Sequence, residues 1–138
     1  MGNSSKFVIA LHILSVLAYV NDIYVPSERI ARSVNTNPAL IRQLLSRLKK
    51  LGLVKTREGS KGGARLSKPP EEIDLAAVYR AVEVGALFPL HPKLPNQKCP
   101  VGRNIQRGVR PILTIVEQSL LATLQSKTLQ DAMKEMQL

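Results

Sequence analysis

Between Asn37 and Ser67 the chain reads NPALIRQLLSRLKKLGLVKTREGSKGGARLS, and this stretch limits the fold more than any other. Leu40, Ile41, Leu44, Leu45, Leu48 and Leu51 recur at steps of three and four, the repeat of one apolar helix stripe. Arg42, Gln43, Ser46, Arg47 and Lys50 fall on the other face. Asn37 ahead of Pro38 is a helix start, because a capping side chain precedes a proline whose φ suits the first turn. Gly52 is placed to close the helix in the left-handed conformation. Beyond it, LVKTR and ARLS read as two short strands joined by the glycine-rich tip Glu58–Gly63.

Upstream, Ser4–Val20 is apolar nearly all round, which predicts a helix enclosed by others. NDIYVP is a connection with room for a short strand at Ile23–Val25. Pro26 and Ser27 then open a second helix, with Ser27 as the expected cap, and Ile30, Ala31 and Val34 share one side of it. NTN breaks that helix. The order helix, helix, tight turn, helix, hairpin is a winged helix-turn-helix, expected over residues 1–67.

Residues 68–138 have a different character. Pro69–Pro70 is a spacer, and Asp74 is expected to cap a helix carrying Leu75, Val78, Tyr79 and Val82, ended by Gly85. ALFPLHPKLPNQKCP has too many prolines for a regular element. Ile105, Val109, Ile112, Val116, Leu120 and Leu124 then form a long helical seam, which Pro111 either kinks or starts. TLQDAMKEM closes the chain as a short helix capped by Thr128, with Asp131 three residues on. The expected fold class is mainly α with a small β-hairpin: a winged helix-turn-helix plus a long C-terminal dimerisation helix. The seam suits a dimer, and packing against its own protomer is the other use for it.

Charge narrows the class of partner. Lys plus Arg total 20 against 10 Asp plus Glu, a formal +10, which favours a polyanion, with nucleic acid ahead of an anionic membrane surface. From Arg29 to Arg65 the basic residues are Arg29, Arg32, Arg42, Arg47, Lys49, Lys50, Lys55, Arg57, Lys61 and Arg65, against Glu58 alone. After Ser67 the two signs nearly balance. A single cysteine, Cys99, excludes an internal disulfide and points to a reducing cytoplasm. Phe7–Val20 is shorter than the roughly 20 residues a membrane span needs, and His12 and Ser15 interrupt it. MGNSSK fails the myristoylation pattern, because Lys6 stands where Ser or Thr is required. Gly-Ser-Lys-Gly-Gly followed by a strand is not a phosphate loop, which opens a helix. Neither His12 nor His91 belongs to a ligand cluster, and no catalytic triad, paired-carboxylate or zinc spacing stands out. No enzyme activity, metal or other cofactor is expected.

A major groove about 12 Å wide admits one helix, whose N-terminal side chains meet base edges. Thr36, Asn37, Ala39, Arg42 and Gln43 occupy that end of the third helix. Arginine can take both acceptors of guanine, and glutamine the donor and acceptor of adenine. Arg47, Lys49 and Lys50 lie further along, where phosphate contacts hold register; a solvated helix face is the alternative, with Lys49 its leading case. Ser27, at the start of the second helix, joins the expected DNA-contacting set. In the wing, Arg57, Gly59, Lys61, Gly62, Gly63 and Arg65 combine cations with a backbone that can approach another surface closely. Two such heads on a symmetric dimer would read a palindromic operator in double-stranded DNA. Cys99, beside Lys98 and ahead of a helix, is either a redox sensor or an ordinary surface thiol.

The run IARSVNTNPALIRQLLSRLKKLGLVKTREGSKGGARLSKPPEEIDLAAVYRAVE, with the later CPVGRNIQ and TLQDAM, resembles the Rrf-two family of bacterial winged-helix transcription regulators. The likeness covers nearly the whole chain. It implies a homodimer joined through the long C-terminal helix, with the third helix and wing on DNA and Asn37, Ala39, Arg42 and Gln43 at the base-reading end. Members of that family often carry arginine just before the first wing glycine, where this chain has Glu58. They commonly carry an aromatic after the glycine pair, where it has Ala64 and Arg65. Arg57 and Lys61 are therefore the alternatives for the groove-entering side chain. Cluster-binding members use three closely spaced cysteines, so the resemblance is to a member without the cluster. Its signal is then a small molecule, a thiol modification or a partner protein. The expected function is a cytoplasmic, dimeric DNA-binding transcription regulator, read as a repressor, with activation the open alternative. A winged-helix module that docks on protein or RNA, and a thiol switch acting through Cys99, are the alternatives.

Overall fold

Ile41, Leu44 and Leu48, the centre of the apolar stripe, are fully buried, and the rest of the fold is arranged around them. A computed structural model describes residues 4–138; the first three residues of the MGNSSK start lie outside it. The helices are α1 (Lys6–Val20), α2 (Ser27–Val34), α3 (Pro38–Lys50), α4 (Leu75–Val82), α5 (Pro100–Gln125) and α6 (Leu129–Met136). Strands β1 (Val54–Arg57) and β2 (Gly63–Leu66) pair antiparallel, with Val54 opposite Leu66 and Arg57 opposite Gly63. The chain is thus mainly α with one hairpin, as expected. Ile13 and Leu14 of α1, Ile30 of α2, Ile41, Leu44, Leu45 and Leu48 of α3, Leu53, Ile73, Val78, Val82 and Leu129 form a single buried cluster; Leu40 packs against it partly buried, and Leu51, expected in the stripe, sits at the C-cap 46% exposed. That cluster crosses the expected boundary at residues 67 and 68, so the two regions share one core.

Local chemistry sets the ends of α3. The Asn37 side-chain oxygen accepts the Leu40 N–H at 2.9 Å, and Pro38 occupies the first turn. At the other end Leu53 N–H donates to the Leu48 carbonyl at 3.1 Å and Gly52 N–H to that of Lys49 at 2.9 Å. Gly52 has φ +74°. This paired closure satisfies orphan carbonyls and turns the chain straight into β1. Asn37→Ala is expected to lower stability by about 1 kcal/mol, measured as a shift in the urea midpoint at unchanged slope.

Several expectations are corrected. Ser27 does not cap α2: Pro26 holds the cap position, its carbonyl accepting from Arg29 and Ile30 at 3.1 and 3.2 Å, and the Ser27 side chain makes no capping bond. An extended proline already presents its carbonyl to the first turn, so the serine is drawn inside the helix. The strand expected at Ile23–Val25 is a one-residue bridge, Val25 to Ala64, closed by hydrogen bonds of 2.8 and 2.9 Å. Helix α1 begins at Lys6 rather than Ser4, and α4 ends at Val82, ahead of Gly85. Pro111 does not start the long helix: α5 runs through it from Pro100, opened by Cys99, whose carbonyl accepts from Arg103 at 2.8 Å.

Helix α6 begins with a capping box, Thr128 and Asp131 each bonding the other's backbone N–H. It is tied back to the start of α4, with Leu129 N–H donating to Ile73 at 2.8 Å and Leu75 N–H to Lys127 at 2.9 Å. Between these anchors α5 contributes no buried residue along its 26 positions. Val101 (68% exposed), Ile112 (60%) and Ile115 (63%) stand in the open.

Candidate nucleic-acid interface

With its stripe turned into the core, α3 presents Ala39, Gln43, Ser46 and Lys50 outward at steps of four, three and four, all exposed. Arg42, Ser46 and Lys49 form the neighbouring row, which faces the hairpin across a groove of about 670 Å³. Pro26, Ser27 and Glu28 close one end of that groove, and Thr56 to Ser60 with Gly62 and Gly63 of the wing supply the far wall. Of the expected DNA-contacting residues, Ser27, Arg42, Arg57, Gly59, Gly62 and Gly63 therefore meet in one place. Thr36 is half-buried in the turn, its N–H donating to Ala31 at 3.0 Å. Asn37 is exposed but its side chain is engaged as the α3 cap.

Arg47 is not brought to this face. Its guanidinium donates to the Val82 carbonyl at 3.1 Å and sits half-buried against the end of α4. Lys49, the leading case for a solvated residue, lines the groove, seven positions after Arg42 and so on the same side of the helix. That spacing was the available clue. Glu28 was missed entirely: its Oε1 accepts from Arg42 Nη2 at 3.1 Å. The Glu28 carboxyl is held below its ordinary range, first by a hydrogen bond from its own backbone N–H and then by the Arg42 guanidinium, with desolvation opposing both.

The wing cations divide into braced and free. Arg57 lies over the Tyr24 ring, 4.5 Å from its centroid, and donates to the Lys61 carbonyl at 3.0 Å. Arg65 reaches the same ring at 5.7 Å and pairs with Asp22 at 3.4 Å. Such stacking restrains both guanidinium groups against the hairpin. Lys61, at the tip, is exposed and makes no ion pair among the described residues. Gly62 and Gly63 turn inward. An added Cβ would overlap the Arg57 carbonyl at Gly62 and the Val25 carbonyl at Gly63, so both glycines let the hairpin close on itself and on the core.

Cys99 is exposed, its sulfur accepting the Gly102 N–H at 3.4 Å at the start of α5. The seam residues Ile105, Val109, Ile112, Val116, Leu120 and Leu124 are all partly or fully exposed, and Val101 and Ile115 add apolar surface that the spacing did not include. No helix among the described residues is long and apolar enough to cross a membrane.

A helix-turn-helix whose second helix faces outward, followed by a glycine-rich hairpin beside it, is a DNA-binding winged helix. The chain belongs to the Rrf2 family, described as iron-dependent transcriptional regulators, which it matches over residues 3–135. It is 41% identical over 134 residues to YwnA of Bacillus subtilis strain 168, designated an HTH-type transcriptional regulator, covering 96% of this chain and 98% of that protein. A crystal structure designated as a DNA-binding protein has 38% identity and a TM-score of 0.75, over 94% of this chain and 99% of the other. The structure of CymR, the global cysteine regulator of B. subtilis, aligns at 26% identity and TM-score 0.64 over 96% and 95%. These relatives are regulators rather than enzymes.

The family description raises iron, and the donor set can be tested against it. Iron–sulfur clusters are held mainly by thiolates. This chain has one cysteine in all, and among the described residues no three His, Cys, Asp or Glu side chains converge as a metal site. Its residues do not fit a cluster held by three closely spaced cysteines.

Proposed function

We propose that the protein is a cytoplasmic homodimeric repressor that reads a palindromic operator, with α3 in the major groove and the wing against the minor groove or its phosphates. The observation that carries this reading is the shared groove: Arg42, Ser46 and Lys49 of α3 face the wing across it, and Ala39, Gln43 and Lys50 stand exposed on the adjoining face of the same helix. Ala39 and Gln43 lie at the base-edge end, Lys50 is placed for phosphate, and Lys61 is the wing side chain free to enter a groove. The exposed apolar length of α5 supports pairing with a second copy, which would set two reading heads on one duplex about one helical turn, ~10 base pairs, or a multiple apart.

Selection of bound duplexes from a random pool, followed by titration across salt concentrations, tests it. A two-fold symmetric consensus and a steep inverse dependence of affinity on salt are expected, since phosphate neutralisation releases counterions. Arg42→Ala is expected to cost about 1–3 kcal/mol on the consensus and to relax the choice of base at one position in each half-site, whereas Lys50→Ala weakens all sequences alike and lowers the salt slope by about 1. A pool that returns no consensus, or an unchanged consensus for Arg42→Ala, would sink the base-reading assignment. It would turn attention to RNA or protein as the ligand of this face.

A further inference from the structure

An acidic side chain at the end of a cationic groove needs a reason, and Glu28 is such a side chain. It is the second residue of α2, it lines the groove, and it accepts one hydrogen bond from Arg42. The two side chains are 57% and 59% exposed for Arg42 and Glu28 respectively, so neither is hidden from a duplex docked on the groove. A surface pair of this kind adds little to stability. Its consequence is geometric. A guanidinium has five N–H donors, and the bond to Glu28 restrains the group through Nη2 while other donors stay open to the groove.

We propose that Glu28 is a positioning residue for sequence recognition, holding Arg42 toward base edges and keeping it off phosphates. The proposal rests on Arg42 reading a base. An unrestrained arginine beside a duplex finds the nearest phosphate, which adds affinity on every sequence and information on none. A carboxylate at the same spot opposes phosphate approach and occupies part of the guanidinium, so Arg42 gains most where a guanine offers two acceptors in line. Discrimination then comes as much from what the site repels as from what it attracts. Arg32, one turn further along α2, adds a smaller positive field at the carboxylate beside that of Arg42.

The test compares affinity for the selected consensus with affinity for a random duplex of equal length, at one salt concentration, using the full chain. Glu28→Gln retains the shape and an acceptor for the backbone N–H but removes the charge; Glu28→Ala removes the arm as well. Both are expected to raise random-duplex affinity about five-fold while consensus affinity stays level or falls by up to about two-fold, lowering the ratio by about five- to ten-fold. In an Arg42→Ala background the same changes are expected to leave the ratio within two-fold, because the partner that Glu28 positions is gone. A ratio unchanged in both single variants, or equal gains on both duplexes, overturns the proposal and makes Glu28 a simple charge. A wild-type protein without any consensus overturns the base-reading assignment itself, and that result is visible before Glu28 is altered.

Discussion

Ile112→Asp combined with Ile115→Asp is expected to yield a folded monomer that no longer holds its operator. Both side chains stand 60% or more exposed on α5, and no residue of that helix is buried within the protomer. The fold itself should therefore tolerate the change, with helical content and melting near wild type. A long helix whose apolar seam faces solvent is a poor end state for a single chain, because exposed contiguous apolar surface marks an interaction site. Across a two-fold axis the same residues on each copy would meet, and four aspartates would be forced into one apolar seam, where unpaired charge is costly. Light scattering should report half the wild-type mass. Affinity for the full palindrome should drop by at least about 100-fold, the usual worth of a tethered second head, while a single half-site is bound almost as before. A dimer that survives both substitutions would place the interface elsewhere.

Gly63→Ala is expected to be the most damaging single substitution in the wing. Gly63 has φ +145°, and a Cβ there would run into the Val25 carbonyl and carbonyl carbon. Ala64 next to it is completely buried and exchanges both backbone hydrogen bonds with Val25. The clash thus falls where the hairpin is clipped to the core, on backbone that cannot move aside as a side-chain tip can. Overlap and backbone strain together should cost about 2–3 kcal/mol, read from the urea midpoint. DNA affinity should fall further than stability alone predicts, since Val25 leads directly into Pro26, Ser27 and Glu28 at the end of the groove. Gly59→Ala is the control. An added Cβ there meets nothing within 4 Å, so only the strain of its φ, +99°, remains.

Much of this was legible in the chain before any coordinates. Asn37, Pro38 and Gly52 mark the ends of α3 because capping involves neighbours within three or four residues. Thr128 and Asp131 announce α6 for the same reason. The change from a three-and-four repeat to the short LVKTR and ARLS segments located the hairpin, whose strands are Val54–Arg57 and Gly63–Leu66. What the chain did not reveal were partners far off along it: Arg47 bonds Val82, 35 residues away, Arg42 bonds Glu28 across 14, and Arg65 bonds Asp22 across 43. No periodicity within α3 says which of its cations another helix will capture.

The sequence by itself determined the order of elements, the buried stripe of α3 and the sign of the surface beside it, since spacing, caps and charge are properties of short windows. Tertiary structure alone decided which cations line the groove beside the wing. The way α2 and α4 flank α3 delivers Glu28 to Arg42 and takes Arg47 away from that groove to the Val82 carbonyl, and Tyr24 braces two wing arginines while Lys61 makes no ion pair among the described residues. The physical reason is that a charged side chain several ångströms long answers to whatever neighbour the packing brings within hydrogen-bond reach, and packing is set by the whole core at once.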